Sequence, residues 1–155
     1  MYYAVVILLM LVFPLASVGI ETLVFHSSLA LMIVLAKWFV FWAVGVRLFT
    51  AGLRQAIDPG FTAKKIFEFK TSEPVMIIRE LGFANIALGT AALLSILNSA
   101  WLIPAAIAGC LFYGLAGFNH LRKSQRNSTE NLATFSDLFV FAILLVCLVG
   151  YVTHI

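Results

Sequence analysis

The sequence predicts an all-α fold, a polytopic integral membrane bundle of five transmembrane helices built as a single domain over residues 1–155. Three observations predict it. Of the 155 residues, 63% are hydrophobic and 11% are charged, with a mean hydropathy of +1.05, whereas a soluble domain carries about 25% charged residues. The apolar residues gather into five runs, each close to the roughly 20 residues that a bilayer crossing needs. The basic residues fall in alternate connections between those runs, the pattern expected when positive charge is held on the cytoplasmic side.

The first run, residues 2–20, is interrupted only by Pro14. Proline has no N–H to donate and kinks a helix, which a membrane span tolerates where neighbours repair the ladder. The start, Met1-Tyr2-Tyr3, has no side-chain cation and the run is of span length, so it reads as a helix and not as a secretory signal. The second run, residues 28–53, precedes a helix stop at Asp58-Pro59-Gly60. The third, residues 79–97, has the shortest apolar stretch, so its span takes Arg79 and Glu80 into the headgroup region. The fourth and fifth cover residues 101–121 and 134–153. Between the second and third, residues 58–78 mix phenylalanines with Lys64, Lys65 and Lys70. That mixture predicts a segment lying in the interface plane, with rings in the acyl boundary and lysines at anionic headgroups.

Orientation follows from the connections. Arg54, Lys64, Lys65, Lys70 and Arg79 lie between the second and third spans, and Arg122, Lys123 and Arg126 between the fourth and fifth. The turn holding Glu21 and His26, the Asn98-Ser99-Ala100 turn and the stretch from Tyr151 to Ile155 have neither lysine nor arginine. The expected topology is therefore N-terminus in and C-terminus out, in a prokaryotic cytoplasmic (inner) membrane. The net charge of +3 and pI of about 9.1 are accounted for by this placement, and no nucleic-acid partner is expected. The expected partners are the lipid bilayer and either a second copy of the chain or another membrane protein.

Charges inside a span cost about 2.5–3.5 kcal/mol at its centre on insertion scales, so the few present are candidates for function. Arg47 in the second span, Glu80 opening the third, Asn119 and His120 closing the fourth, and Asp137 opening the fifth all fall toward the cytoplasmic ends. They define an expected ligand-binding or ion-pair cluster beneath the apolar interior. An Arg47–Glu80 ion pair is its anchor, because an unpaired buried charge costs several kcal/mol. Asp137 has two readings: a member of the site, or the acidic partner of a Thr134-x-x-Asp137 capping box. Lys37, on the opposite side, and Asn85 and Tyr113 are secondary candidates.

Small residues mark close helix contact. Ala106, Cys110 and Gly114 repeat every fourth residue, Gly109 and Gly117 flank Tyr113, and Gly82, Asn85 and Gly89 share one side of the third span. Cys110 and Cys147 form no CxxC pair and read as small apolar packers. Trp101 suits an aromatic belt, while Trp38 and Trp42, one turn apart, lie deeper and suit a cavity.

Two stretches carry a family resemblance. The run from Val46 through Arg47, Gly52, Arg54 and Asp58-Pro59, followed by Arg79-Glu80-Leu81-Gly82 through Gly89, resembles the DoxX-like membrane proteins. From Lys37 to Val149 the chain looks still more like a small group of uncharacterised prokaryotic inner-membrane proteins near that superfamily. The resemblance implies a four-helix core made of the second to fifth spans, with the first as an addition. It also implies kinship with membrane subunits of quinone-linked oxidoreductases, with Arg47 and Glu80 as the positions carried over. The chain departs from redox-linked members in having no cysteine pair. The loop from Arg126 to Phe135 resembles that of membrane proteins of eicosanoid and glutathione metabolism, but there two spans follow it and here only one does. A polar loop opening the fifth helix explains it.

No nucleophile sits beside a base, no histidines have metal-ligand spacing, and there is no glycine-rich phosphate loop. The expected function is therefore non-enzymatic: binding a lipid, quinone or hydrophobic metabolite, or a membrane partner, through the polar cluster, with no metal. The alternatives are a membrane subunit of a quinone-linked oxidoreductase, a glutathione-dependent membrane enzyme, or a small transporter.

Overall fold

A computed structural model describes residues 2–61, 75–124 and 126–153. It is all-helical, with no strand among the described residues. Five helices are long and apolar enough to span a membrane: α1 (Tyr3–Val24), α2 (Leu31–Ile57), α3 (Val75–Leu94), α4 (Ser99–Arg122) and α5 (Ser128–Thr153). Phe83, Leu115, Phe118, Val149 and Val152 are exposed on the outside of the bundle. Apolar surface of this extent fits an integral membrane protein, with acyl chains in place of water. The expected interfacial segment, residues 58–78, falls mostly outside the described residues.

The helices in this order wind differently from one another. Pro14 has no N–H for the Met10 carbonyl, and its ring would crowd that oxygen. Just before it, Leu8–Val12 adopts wide π winding, with the Phe13 N–H donating to the Leu8 carbonyl. The expected kink is thus absorbed in a widened turn. A second π stretch, Ile20–Val24, ends α1. The chain then closes through Phe25 N–H to Ile20 O (3.1 Å) and Ser27 N–H to Glu21 O (3.2 Å), with His26 at φ 48°. A left-handed backbone costs a side-chain-bearing residue about 1 kcal/mol that glycine does not incur. His26→Gly is therefore expected to raise stability by up to ~1 kcal/mol and the β-branched His26→Val to lower it, read from thermal unfolding in detergent. Equal midpoints for the two variants would remove the strain.

Helix α2 is the centre of the bundle. Phe39, Val40, Ala43, Val44 and Leu48 are buried in one core with Met10 of α1, Ala92 of α3, Ala106 and Tyr113 of α4, and Val140 and Leu144 of α5. Its middle, Val40–Val46, is a third π stretch, in which the Arg47 N–H bonds the Trp42 and Val44 carbonyls. The Ala43 carbonyl, the acceptor for Arg47 in regular α winding, accepts the buried Tyr113 hydroxyl instead. Helix α2 stops at Ile57 because Asp58, at φ −128° and ψ 69°, is kept out of the helical region by the Pro59 that follows it.

Helix α5 starts at Ser128, earlier than expected, on a reciprocal cap. Asn127 Oδ1 accepts from Glu130 N–H (2.9 Å) while Glu130 Oε2 accepts from Asn127 N–H (3.2 Å). The Thr134-x-x-Asp137 capping box is therefore corrected. Thr134 is already within the helix and donates its hydroxyl to the Glu130 carbonyl (2.7 Å), so Asp137 caps nothing. Cys110 and Cys147 are free and buried. Tyr3 at the start of α1 meets Thr129 at the start of α5 through their hydroxyls (3.2 Å), placing these two ends on the same side of the bundle.

Candidate functional site

The expected cluster divides. Helix α3 packs on α2 through glycines, and Gly82 lies against Gln55 and Ala56. Ala56 follows Arg47 by nine residues, about 14 Å of helical rise. Glu80, still farther along, is exposed, and among the described residues the ion pairs are Lys37–Glu21 and Lys123–Glu130. The expected Arg47–Glu80 pair is thus not formed, because packing register places the two residues at different depths. Asn119 is also exposed. His120 is half-buried, within electrostatic range of Glu130, Lys123 and Arg126, and its carbonyl accepts from Arg126 (3.3 Å).

Arg47 on α2 and Asp137 on α5 lie within electrostatic range of each other. Asp137 is buried, 8% exposed, and the Arg47 guanidinium is the charge acting on it, from α2 across to α5, without direct ion-pair contact. Among the described residues the buried side-chain atoms without a hydrogen-bond partner include Arg47 Nε. Buried polar atoms are almost always satisfied, so the Arg47 Nε, with the buried Asp137 in electrostatic range, marks a place for an acceptor. Asn85 is buried on α3 and donates to Gln55 Oε1 (2.8 Å), which ties α3 to α2, while its own Oδ1 is unsatisfied. Tyr113 is fully engaged in packing and in its bond to Ala43.

A second polar group lies at the α1–α2 turn. Lys37 Nζ and Trp38 Nε1 both donate to Glu21 Oε2, at 2.8 and 2.6 Å, and one turn deeper Trp42 Nε1 donates to Ser17 Oγ (3.0 Å). Beside them is an open cleft of about 540 Å³ lined by Ser17, Ile20, Glu21, Phe25, Ser27, Lys37 and Trp38. Sequence reasoning placed Glu21 in a turn and missed it as a site residue. The available signal was that Glu21 and Lys37 stand at similar distances on either side of that turn, so an antiparallel hairpin brings them level.

These features define a class: a five-helix bundle of membrane-spanning type with charged groups buried at two levels. The model of the DUF6790 family, a family of unknown function, matches residues 2–154, and the chain belongs to that family. This match corrects the DoxX-like resemblance. The shared residues have local causes that any tight helix pair reproduces: Gly82 and Gly89 admit α2, and Asp58-Pro59 ends it. No curated protein and no solved structure matches the chain.

Proposed function

We propose that this protein binds an amphipathic membrane molecule, a lipid, quinone or hydrophobic metabolite, whose polar head occupies the space between Arg47 and Asp137. The observation that carries the reading is a buried guanidinium Nε with no acceptor, within electrostatic range of the buried Asp137 carboxylate. A head with a carbonyl or hydroxyl oxygen accepts from Arg47, and one with a hydroxyl also donates to Asp137. Apolar side chains around the pair, including Leu48 and Val140, suit the attached hydrocarbon. Glu80 and Asn119 belong to the bilayer interface in this reading, and His120 to the charged end of α4.

The protein is taken to sit in a cytoplasmic membrane with its N-terminus inside. Arg54, Arg79, Arg122, Lys123 and Arg126 support this, all lying at or near the ends of α2 to α5 away from the α1–α2 turn, where Lys37 is the basic residue. Native mass spectrometry of protein extracted in mild detergent tests the binding. A retained small molecule is expected in the wild type and its loss in Asp137→Asn and Arg47→Gln, with midpoints of unfolding little changed. No retained mass in the wild type defeats the reading. So does large destabilisation in each single variant that is repaired in the double variant without any ligand, which reduces the pair to packing.

A further inference from the structure

The cleft at the α1–α2 turn is separate from the Arg47–Asp137 site and has a different chemistry. It presents one cation and one anion side by side, Lys37 Nζ and Glu21 Oε2 at 2.8 Å, both among its lining residues. Lys37 has three N–H donors, one of which serves Glu21. Lys37 and Trp38 both donate to Oε2, and the Ser27 side chain also interacts with the Glu21 carboxylate. A simple anion placed on Lys37 would stand next to the Glu21 carboxylate, and a simple cation on Glu21 next to the Lys37 ammonium. Each would meet a like charge at nearly the distance of its partner. A ligand with both charges on neighbouring groups avoids this, since its anion meets Lys37 while its cation meets Glu21.

We infer that this cleft binds a zwitterionic phospholipid headgroup in which a primary ammonium adjoins a phosphate. The phosphate takes the remaining Lys37 donors, and the ammonium donates to the Glu21 carboxylate, with the Ser17 and Ser27 hydroxyl oxygens beside it in the lining. A quaternary ammonium has no N–H for those acceptors, so the site selects the primary amine. Trp38, pinned by its bond to Glu21, supplies an aromatic wall. The acyl part has its own surface in Ile20 and Phe25, both lining the cleft and both exposed, at 50% and 74%. That apolar lip favours the lipid over a free headgroup. The volume lies within the range of roughly 300–1,000 Å³ usual for small-molecule sites.

The test is native mass spectrometry of the full chain titrated with phosphatidylethanolamine, phosphatidylglycerol and phosphatidylcholine of identical acyl chains. Wild-type protein is expected to bind phosphatidylethanolamine about tenfold more tightly than either of the others. Glu21→Gln/Lys37→Met, which removes both charges together, is expected to erase that preference. Phe25→Glu changes an exposed residue, so folding is spared, and its added charge at the lip is expected to repel the phosphate and weaken binding about tenfold. Asp137→Asn is expected to leave the preference unchanged, which separates this site from the one proposed above. Equal binding of the three lipids, a preference unaltered in Glu21→Gln/Lys37→Met, binding undiminished in Phe25→Glu, or glycerophosphoethanolamine binding as tightly as the lipid would each overturn the inference.

Discussion

Gly89→Ala is expected to destabilise the protein by about 2–3 kcal/mol, the upper part of the range for overpacking a tight interface. A Cβ added at Gly89 would stand 2.5 Å from the backbone N and 2.8 Å from the Cα of Phe49. Those atoms belong to a helix and do not rotate away. The contact is repeated along the same seam: a Cβ at Gly52 would lie 2.6 Å from the Gly82 carbonyl oxygen, and one at Gly82 would lie 2.8 Å from Ala56 N. Helices α2 and α3 therefore touch backbone to backbone, and a methyl group at any of the three must push them apart and forfeit dispersion contacts along the seam. Gly19 is the control. A Cβ there meets nothing within 4 Å, so Gly19→Ala is expected to gain up to ~1 kcal/mol from helix propensity alone. Reversible unfolding in mixed micelles compares the two, and similar midpoints for Gly89→Ala and Gly19→Ala would show that the seam yields.

This seam was partly legible in the sequence. Gly82, Asn85 and Gly89 fall on one helical face by spacing alone, and that face is the one α2 covers. The helices were legible too, since a run of apolar side chains excludes water however the chain is later packed. Rotation and axial register were not, because hydropathy assigns an approximate depth and no direction. That is why the sequence pairs Arg47 with Glu80, whereas in the packed bundle Arg47 is the charge acting on Asp137. Glu21 was lost for a related reason. Counting apolar residues ends the first span at Ile20, whereas α1 continues in π winding to Val24 and carries the acid with it. The chain tolerates a carboxylate at the negative end of that helix because Lys37 and Trp38 come from α2 to meet it. A contact between helices is invisible to a reading made one helix at a time.

Removing Lys37 alone should therefore be severe. In Lys37→Met, Glu21 stays 9% exposed, at the carbonyl end of α1, with the Trp38 N–H and the Ser27 side chain as its remaining partners. Truncating one member of a buried pair typically costs about 3–5 kcal/mol, and the partial exposure of Lys37 places the expected loss near the lower figure, about 3 kcal/mol. Glu21→Gln keeps an oxygen acceptor for Trp38 and leaves the cation at the more open of the two positions, so its loss is expected to be smaller. In Glu21→Gln/Lys37→Met neither charge remains to be desolvated, and stability is expected to return to within about 1 kcal/mol of the wild type. The double-mutant cycle then yields a coupling of at least about 2 kcal/mol, well above that of an exposed pair. Salt supplies the independent check: a surface pair fades as the Debye length shortens, whereas this coupling should change little between 0.01 and about 1 M ionic strength. Additive single losses, or a coupling that disappears in salt, would mean that solvent reaches the pair freely and that the α1–α2 hairpin is held by its apolar contacts alone.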